Sequence, residues 1–104
     1  MAVGMLLDMP AEAGAMYEAV NQQMFGTSTP TADQLPSELI LHSAGATAGG
    51  FRIFDVWESR EAFERFFQGQ VGPAMQALGG EAASGPPPEP QIYELSNWVR
   101  GQAG

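Results

Sequence analysis

Cysteine and lysine are absent from the 104 residues, and histidine occurs once. Without cysteine there is no disulfide framework, no thiolate nucleophile, no thiolate metal site and no iron–sulfur cluster. One imidazole excludes a histidine-rich zinc site and leaves a single ring for chemistry. Positive charge is scarce: four arginines (Arg52, Arg60, Arg65, Arg100) stand against 12 acidic residues, for a net charge of -8. Such a surface excludes nucleic acid as a partner, because phosphate contacts need basic groups. It argues equally against anionic lipid and extended polyanions. No apolar run reaches the length of a membrane span. Residues 1–10 carry no Lys or Arg, and Asp8 breaks their apolar run, a pattern of neither a signal nor a transit peptide. There is no P-loop, G-x-G-x-x-G, G-x-S-x-G or H-E-x-x-H motif, so nucleotide, flavin, nicotinamide and zinc chemistry have no visible site. The expectation is one soluble, cytoplasmic domain over residues 1–104, with no cofactor, no metal and no membrane.

What is present reads as alternating short elements. Ala2 to Leu7 is an apolar run predicted to be a buried strand. Pro10 opens a helix in which Ala13, Met16, Tyr17, Val20 and Met24 share one face, and Gly26 ends it. Residues 27–37, with two prolines, read as a surface loop. Glu38 to Ala44 is a second strand, with Leu39, Leu41 and Ser43 on one face and Ile40, His42 and Ala44 on the other. Residues 45–50 connect it to a third strand, Phe51 to Glu58. There Phe51, Ile53, Asp55 and Trp57 oppose Arg52, Phe54, Val56 and Glu58. Both faces of this strand carry large apolar groups, so both call for cover. Ser59 caps a second helix whose inward stripe is Phe63, Phe66, Phe67 and Gln70. Gly72-Pro73 interrupts that helix, and residues 74–78 add a short turn. Residues 79–90 form a Pro/Gly-rich loop, Gln91 to Asn97 a last strand, and 98–104 a tail. The order is βαββαβ, an α+β ferredoxin-like arrangement: a four-stranded antiparallel sheet with both helices on one face. The other face needs a partner, and a second copy in a two-fold homodimer is the simplest one.

The hairpin ending in Asp55-Val56-Trp57-Glu58-Ser59, followed by Glu61-Ala62-Phe63, resembles the antibiotic biosynthesis monooxygenase-like branch of the dimeric α+β barrel superfamily. The specific part covers about 30 residues around the third strand and second helix. It consists of a strand end, a helix cap and a core aromatic, so it speaks to fold more than to activity. The resemblance implies homodimers whose sheets close into a barrel, with a ligand pocket in each subunit between sheet and helices. Its members include cofactor-free oxygenases, heme-degrading enzymes, isomerases and cyclases, and fold does not choose among them. The heme-degrading relatives place a tryptophan three residues past the helix phenylalanine and an iron-binding histidine near the helix end. Here those places hold Phe66 and Met75-Gln76, and their first-strand asparagine has no counterpart, so iron has no evident ligand.

Two residues are candidates for catalysis. His42 is the one imidazole, with an unperturbed pKa near neutrality suited to acid–base work; it equally reads as a half-buried histidine bonded to a carbonyl or at the dimer interface. Asp55 lies in an apolar row, so it must be paired or have a raised pKa. That suits a general base, and it equally suits an ion pair with an arginine such as Arg52 of the partner. Counting outward from a turn centred between Thr47 and Ala48 sets His42 opposite Ile53, with Asp55 one diagonal step away on the same face. Tyr17, Asn21, Trp57, Phe63, Phe67 and Gln70 are the candidate substrate-binding groups, with Tyr93 and Asn97 weaker ones. Each aromatic equally reads as core. Phenol, amide and imidazole groups around an apolar space suit a hydrophobic ligand, aromatic or polyketide-like. The expected function is a cofactor-independent small-molecule oxygenase, isomerase or cyclase; the alternative is a non-catalytic homodimer that binds a small ligand or serves in assembly. A cavity of roughly 300 Å³ or more with converging polar groups favours the first, and one filled by phenylalanines and Met24 favours the second.

Overall fold

A computed structural model describes residues 1–78, 89–99 and 101–103. The elements are β1 (Val3–Met9), α1 (Ala13–Phe25), β2 (Leu39–Thr47), β3 (Gly50–Trp57), α2 (Arg60–Phe66), α3 (Gly72–Leu78) and β4 (Gln91–Glu94). One antiparallel sheet runs in the order β2-β3-β1-β4. This is the ferredoxin-like α+β arrangement expected from the element order. The Pro/Gly-rich loop lies almost wholly outside the described residues, and β4 stops at Glu94, short of Asn97.

Alternation along the strands decides which face is covered. Val3, Met5 and Leu7 of β1 pair across from Trp57, Asp55 and Ile53 of β3. With Ala62 and Phe63 of α2, the buried members of this set form the core, and Leu39, Ile53, Phe66, Phe67 and Ile92 pack on it. The opposite face carries Leu6, Leu41, Phe54 and Tyr93, and Leu41 and Tyr93 are about half exposed. Ser59 caps α2 as expected, its hydroxyl accepting from the Ala62 N–H at 3.1 Å. Gly26 ends α1 in the left-handed region, φ 74°, where glycine carries no Cβ penalty. Gly50 is required for another reason: a Cβ there would run into the Met9 carbonyl oxygen, where the ends of β1 and β3 close together.

Three local readings are corrected. The β2–β3 connection is not residues 45–50. The ladder continues to Thr47 opposite Gly50 and turns over Ala48-Gly49, which sets His42 directly opposite Asp55. A bulge at Ile40 then shifts Leu39 to the covered face beside His42, because one extra residue reverses the alternation beyond it. The second helix is not interrupted at Gly72-Pro73. It runs on through one wide π turn over Phe67–Val71, in which the Gly72 N–H reaches back to the Phe67 carbonyl. That wide turn accommodates Pro73, which lacks an N–H and would crowd the carbonyl four residues back.

Candidate functional site

Four of the residues singled out from the sequence form one hydrogen-bonded chain. Direct pairing of β2 with β3 brings His42 Nδ1 to 2.7 Å from Asp55 Oδ1. Two residues along the same face of β3, the Trp57 indole N–H donates to Asp55 Oδ2 at 3.3 Å. From α1, the Tyr17 hydroxyl meets His42 Nε2. Gly14, one turn earlier, lets α1 settle on Phe51 of β3: a Cβ there would be 3.3 Å from the Phe51 ring. The Tyr17 ring then stacks on His42, with centroids 5.9 Å apart and planes 20° from parallel.

The donors and acceptors fix the proton positions. A carboxylate accepts and an indole donates, so both Asp55 oxygens are acceptors, one from Nδ1–H and one from Nε1–H. In the neutral ring Nε2 is then the unprotonated nitrogen, and the Tyr17 O–H donates to it. This is the arrangement in which a carboxylate orients an imidazole and a third group meets its far nitrogen. Asp55 is 5% exposed and Trp57 1% exposed, so the end of the chain that holds His42 is removed from water. Asp55's partner is therefore His42 and not an arginine; Arg52 lies on the opposite face, where Asp8 accepts from its Nε at 2.6 Å. Burial raises the Tyr17 pKa above that of an ordinary phenol; the Asn21 amide draws it part of the way back, and the Asp55 charge adds to the rise.

The chain borders a cavity of about 110 Å³ between the sheet and the helices. Tyr17, Asn21, His42, Asp55, Trp57, Phe63 and Phe67 all line it, as does Met24. Gln70 does not: it is exposed beside Gln23 and Pro73, because the π turn rotates it off the stripe and brings Val71 to the wall instead. Asn21 is 5% exposed, and its amide donates to the Ser28 carbonyl at 3.4 Å, tying α1 to the loop that follows. Tyr93 and Asn97 are exposed and lie away from this cavity. Sequence reasoning missed Met5 and Leu35 in the wall; the alternation of β1 was a signal for Met5, whereas Leu35 sits in the irregular loop. An open cleft of about 760 Å³ follows the β2 edge and the outer face, bordered by Leu95, Asn97, Trp98, Val99 and Gly101; of the hydrogen-bonded chain only His42 borders it. Among the described residues no group of three or more His, Asp or Glu side chains is placed to hold a metal ion.

A crystal structure from Deinococcus radiodurans titled a "putative antibiotic biosynthesis monooxygenase" superposes with a TM-score of 0.60, over 98% of this chain and 99% of that one, at 16% identity. The fold is that of the antibiotic biosynthesis monooxygenase-like proteins. At that identity the likeness carries architecture and not activity. No family model matches the sequence, and no curated protein matches it. No helix among the described residues is long and apolar enough to cross a membrane.

Proposed function

We propose that the chain is a cofactor-independent small-molecule enzyme that removes a proton from a hydrophobic substrate, with His42 as the acid–base group and Asp55 holding it. One observation carries this reading: an imidazole fixed by a buried carboxylate stands in the wall of a mostly apolar cavity. Asp55 sets the ring's orientation and tautomer and balances the charge when the ring takes up a proton. Trp57 holds the second carboxylate oxygen, so Asp55 does not swing. Isomerisation and cyclisation need only removal and return of a proton; oxygenation needs dioxygen in addition, as the oxidant. The cavity bounds the substrate. An apolar cavity of roughly 150 Å³ holds benzene, so about 110 Å³ suits a single ring, taken up as the flexible Met5 and Met24 side chains give way. A polycyclic, polyketide-like molecule would require the helices to move off the sheet.

The same volume favours a second reading, a non-catalytic dimer that binds a small ligand, since the space is below the usual range for ligand pockets. Exchange separates the two. Monocyclic enones and phenols incubated with the protein in D₂O and followed by ¹H NMR should gain deuterium faster than in buffer, and His42→Ala should abolish the gain. Binding without exchange leaves the second reading; neither binding nor exchange overturns both. We further propose a cytoplasmic homodimer joined through the face bearing Leu6, Leu41, Phe54 and Tyr93, an apolar surface of the kind that marks interfaces. Light scattering should give about twice 11.0 kDa, and a stable monomer would refute it.

A further inference from the structure

The polar groups of the cavity wall are hydrogen-bonded to one another or to the backbone. His42 has both nitrogens engaged, Nδ1 by Asp55 and Nε2 by Tyr17. Asp55 has both oxygens engaged, by His42 and Trp57. The Asn21 amide donates to the Ser28 carbonyl. No buried side-chain nitrogen or oxygen among the described residues lacks a partner. Asp55, 5% exposed, and the Tyr17 oxygen keep acceptor capacity, and of the two only the hydroxyl, with one proton to give and two lone pairs to receive with, can both take a proton and pass one on to His42. The hydroxyl proton goes to His42, which leaves a lone pair free for a ligand.

Resting on the acid–base reading above, we infer that Tyr17, rather than His42, touches the reacting atom, and that the ligand is a neutral hydroxylic acid, a phenol or an enol. The ligand O–H donates to the free lone pair of Tyr17. Its O–H bond breaks as a new one forms at the Tyr17 oxygen, and the original Tyr17 proton passes to His42 Nε2. The products are a ligand oxyanion and an imidazolium paired with Asp55; two protons move and no electrons are exchanged. Tyr17 then donates its new proton to the oxyanion, a donor already in place where the charge develops. Burial and the Asp55 charge, which both oppose a resting phenolate at Tyr17, are consistent with a group that relays a proton without holding the charge. A ligand that met Nε2 directly would have to displace the Tyr17 hydroxyl and leave it unpaired against an apolar wall.

The test uses 4-nitrophenol, whose anion has a distinct visible band, and 4-nitroanisole, its methyl ether, which has no proton to give. The wild-type protein should bind 4-nitrophenol at least about tenfold more tightly than 4-nitroanisole and show the band of the bound anion. Tyr17→Phe should bind the two equally, without that band, at the 4-nitroanisole affinity of the wild type, which also reports that the cavity is intact. His42→Gln should keep the preference for 4-nitrophenol and lose the band. A band that survives Tyr17→Phe but not His42→Gln places His42 directly on the ligand and overturns the inference while the acid–base reading stands. A band that survives His42→Gln overturns both, as does failure of 4-nitrophenol to bind the wild type. If Tyr17→Phe does not fold, fluorotyrosine labelling of the wild type decides: the Tyr17 ¹⁹F resonance should move with 4-nitrophenol well beyond its response to 4-nitroanisole, and equal responses refute the relay.

Discussion

The bond between Trp57 and Asp55 ties the core to the site, and a double-mutant cycle measures it. Trp57 is 1% exposed, packs edge-on to Phe63 with centroids 5.9 Å apart, and gives its one polar atom to Asp55 Oδ2. Asp55→Asn keeps the shape but not the acceptors. Its one carbonyl oxygen serves either His42, turning the amide N–H₂ on the indole donor, or Trp57, turning the amide on Nδ1, reversing the imidazole tautomer and taking Nε2 from the Tyr17 O–H. One buried donor is left unsatisfied, at a cost of about 1–3 kcal/mol. Trp57→Phe leaves Asp55 Oδ2 without its donor and opens space beneath α2, for about 2–4 kcal/mol together. In the double variant the amide no longer meets the indole N–H, so the two losses should fall short of their sum by roughly 1–2 kcal/mol. Urea unfolding followed by circular dichroism reads this directly, provided the denaturant slope is unchanged. Each kcal/mol should also lower Tm by roughly 4–8 °C in a domain of this size. Losses that add to within about 0.5 kcal/mol would show that the indole and the carboxylate are not coupled, and Asp55 would then lack the anchor assigned to it.

Other expectations follow from single residues. The Tyr17 pKa is raised, so its phenolate band should appear above the usual phenol range of about 10. The linked stability is constant below the unfolded value and declines as pH climbs from there through the folded value; ultraviolet titration with Tyr93→Phe as background isolates it, and ionisation at or below the ordinary value contradicts the burial argument. Gly50→Ala should destabilise by about 1–3 kcal/mol, because its Cβ meets the Met9 carbonyl; a neutral substitution would mean the β1–β3 ends are not so closely joined. Val71→Ala should enlarge the cavity and destabilise by roughly 1–2 kcal/mol, whereas Gln70→Ala should leave Tm unchanged. The reverse order in a melting assay would remove the π turn as the reason for Gln70's exposure.

Much of this was legible in residue order, and the failures have physical causes. The apolar residues of Phe51 to Glu58 marked a strand, and Ser59 marked the helix start. Parity alone put His42 and Asp55 on one face. Their direct opposition was not legible, because residues 45–50 are small and carry no side-chain pattern to say where the chain turns. The bulge at Ile40 was likewise silent: Leu39, Ile40 and Leu41 are interchangeable to a hydrophobic pattern, so nothing marks which is the extra residue. Gln70 was misplaced because the stripe was extended at ordinary helical spacing through Pro73, whose demand for a wide turn was read as a break. The Asp55–Trp57 contact had a signal, two residues apart on one strand face. The Tyr17–His42 contact joins α1 to β2 and depends on how closely the helix approaches, which the small residue Gly14 allows but does not announce.

The account centres on one ring, and the chain contains only one histidine, so its nitrogen spectrum has no overlap. In neutral buffer the ¹⁵N-edited spectrum of His42 should show one proton, on Nδ1, with Nε2 bare and hydrogen-bonded. Saturation with 4-nitrophenol should convert it to a ring protonated at both nitrogens, in step with the visible band of the bound anion. A ring that exchanges freely between its two tautomers and is indifferent to the probe would contradict both the hydrogen-bonded chain and the proton transfer built on it.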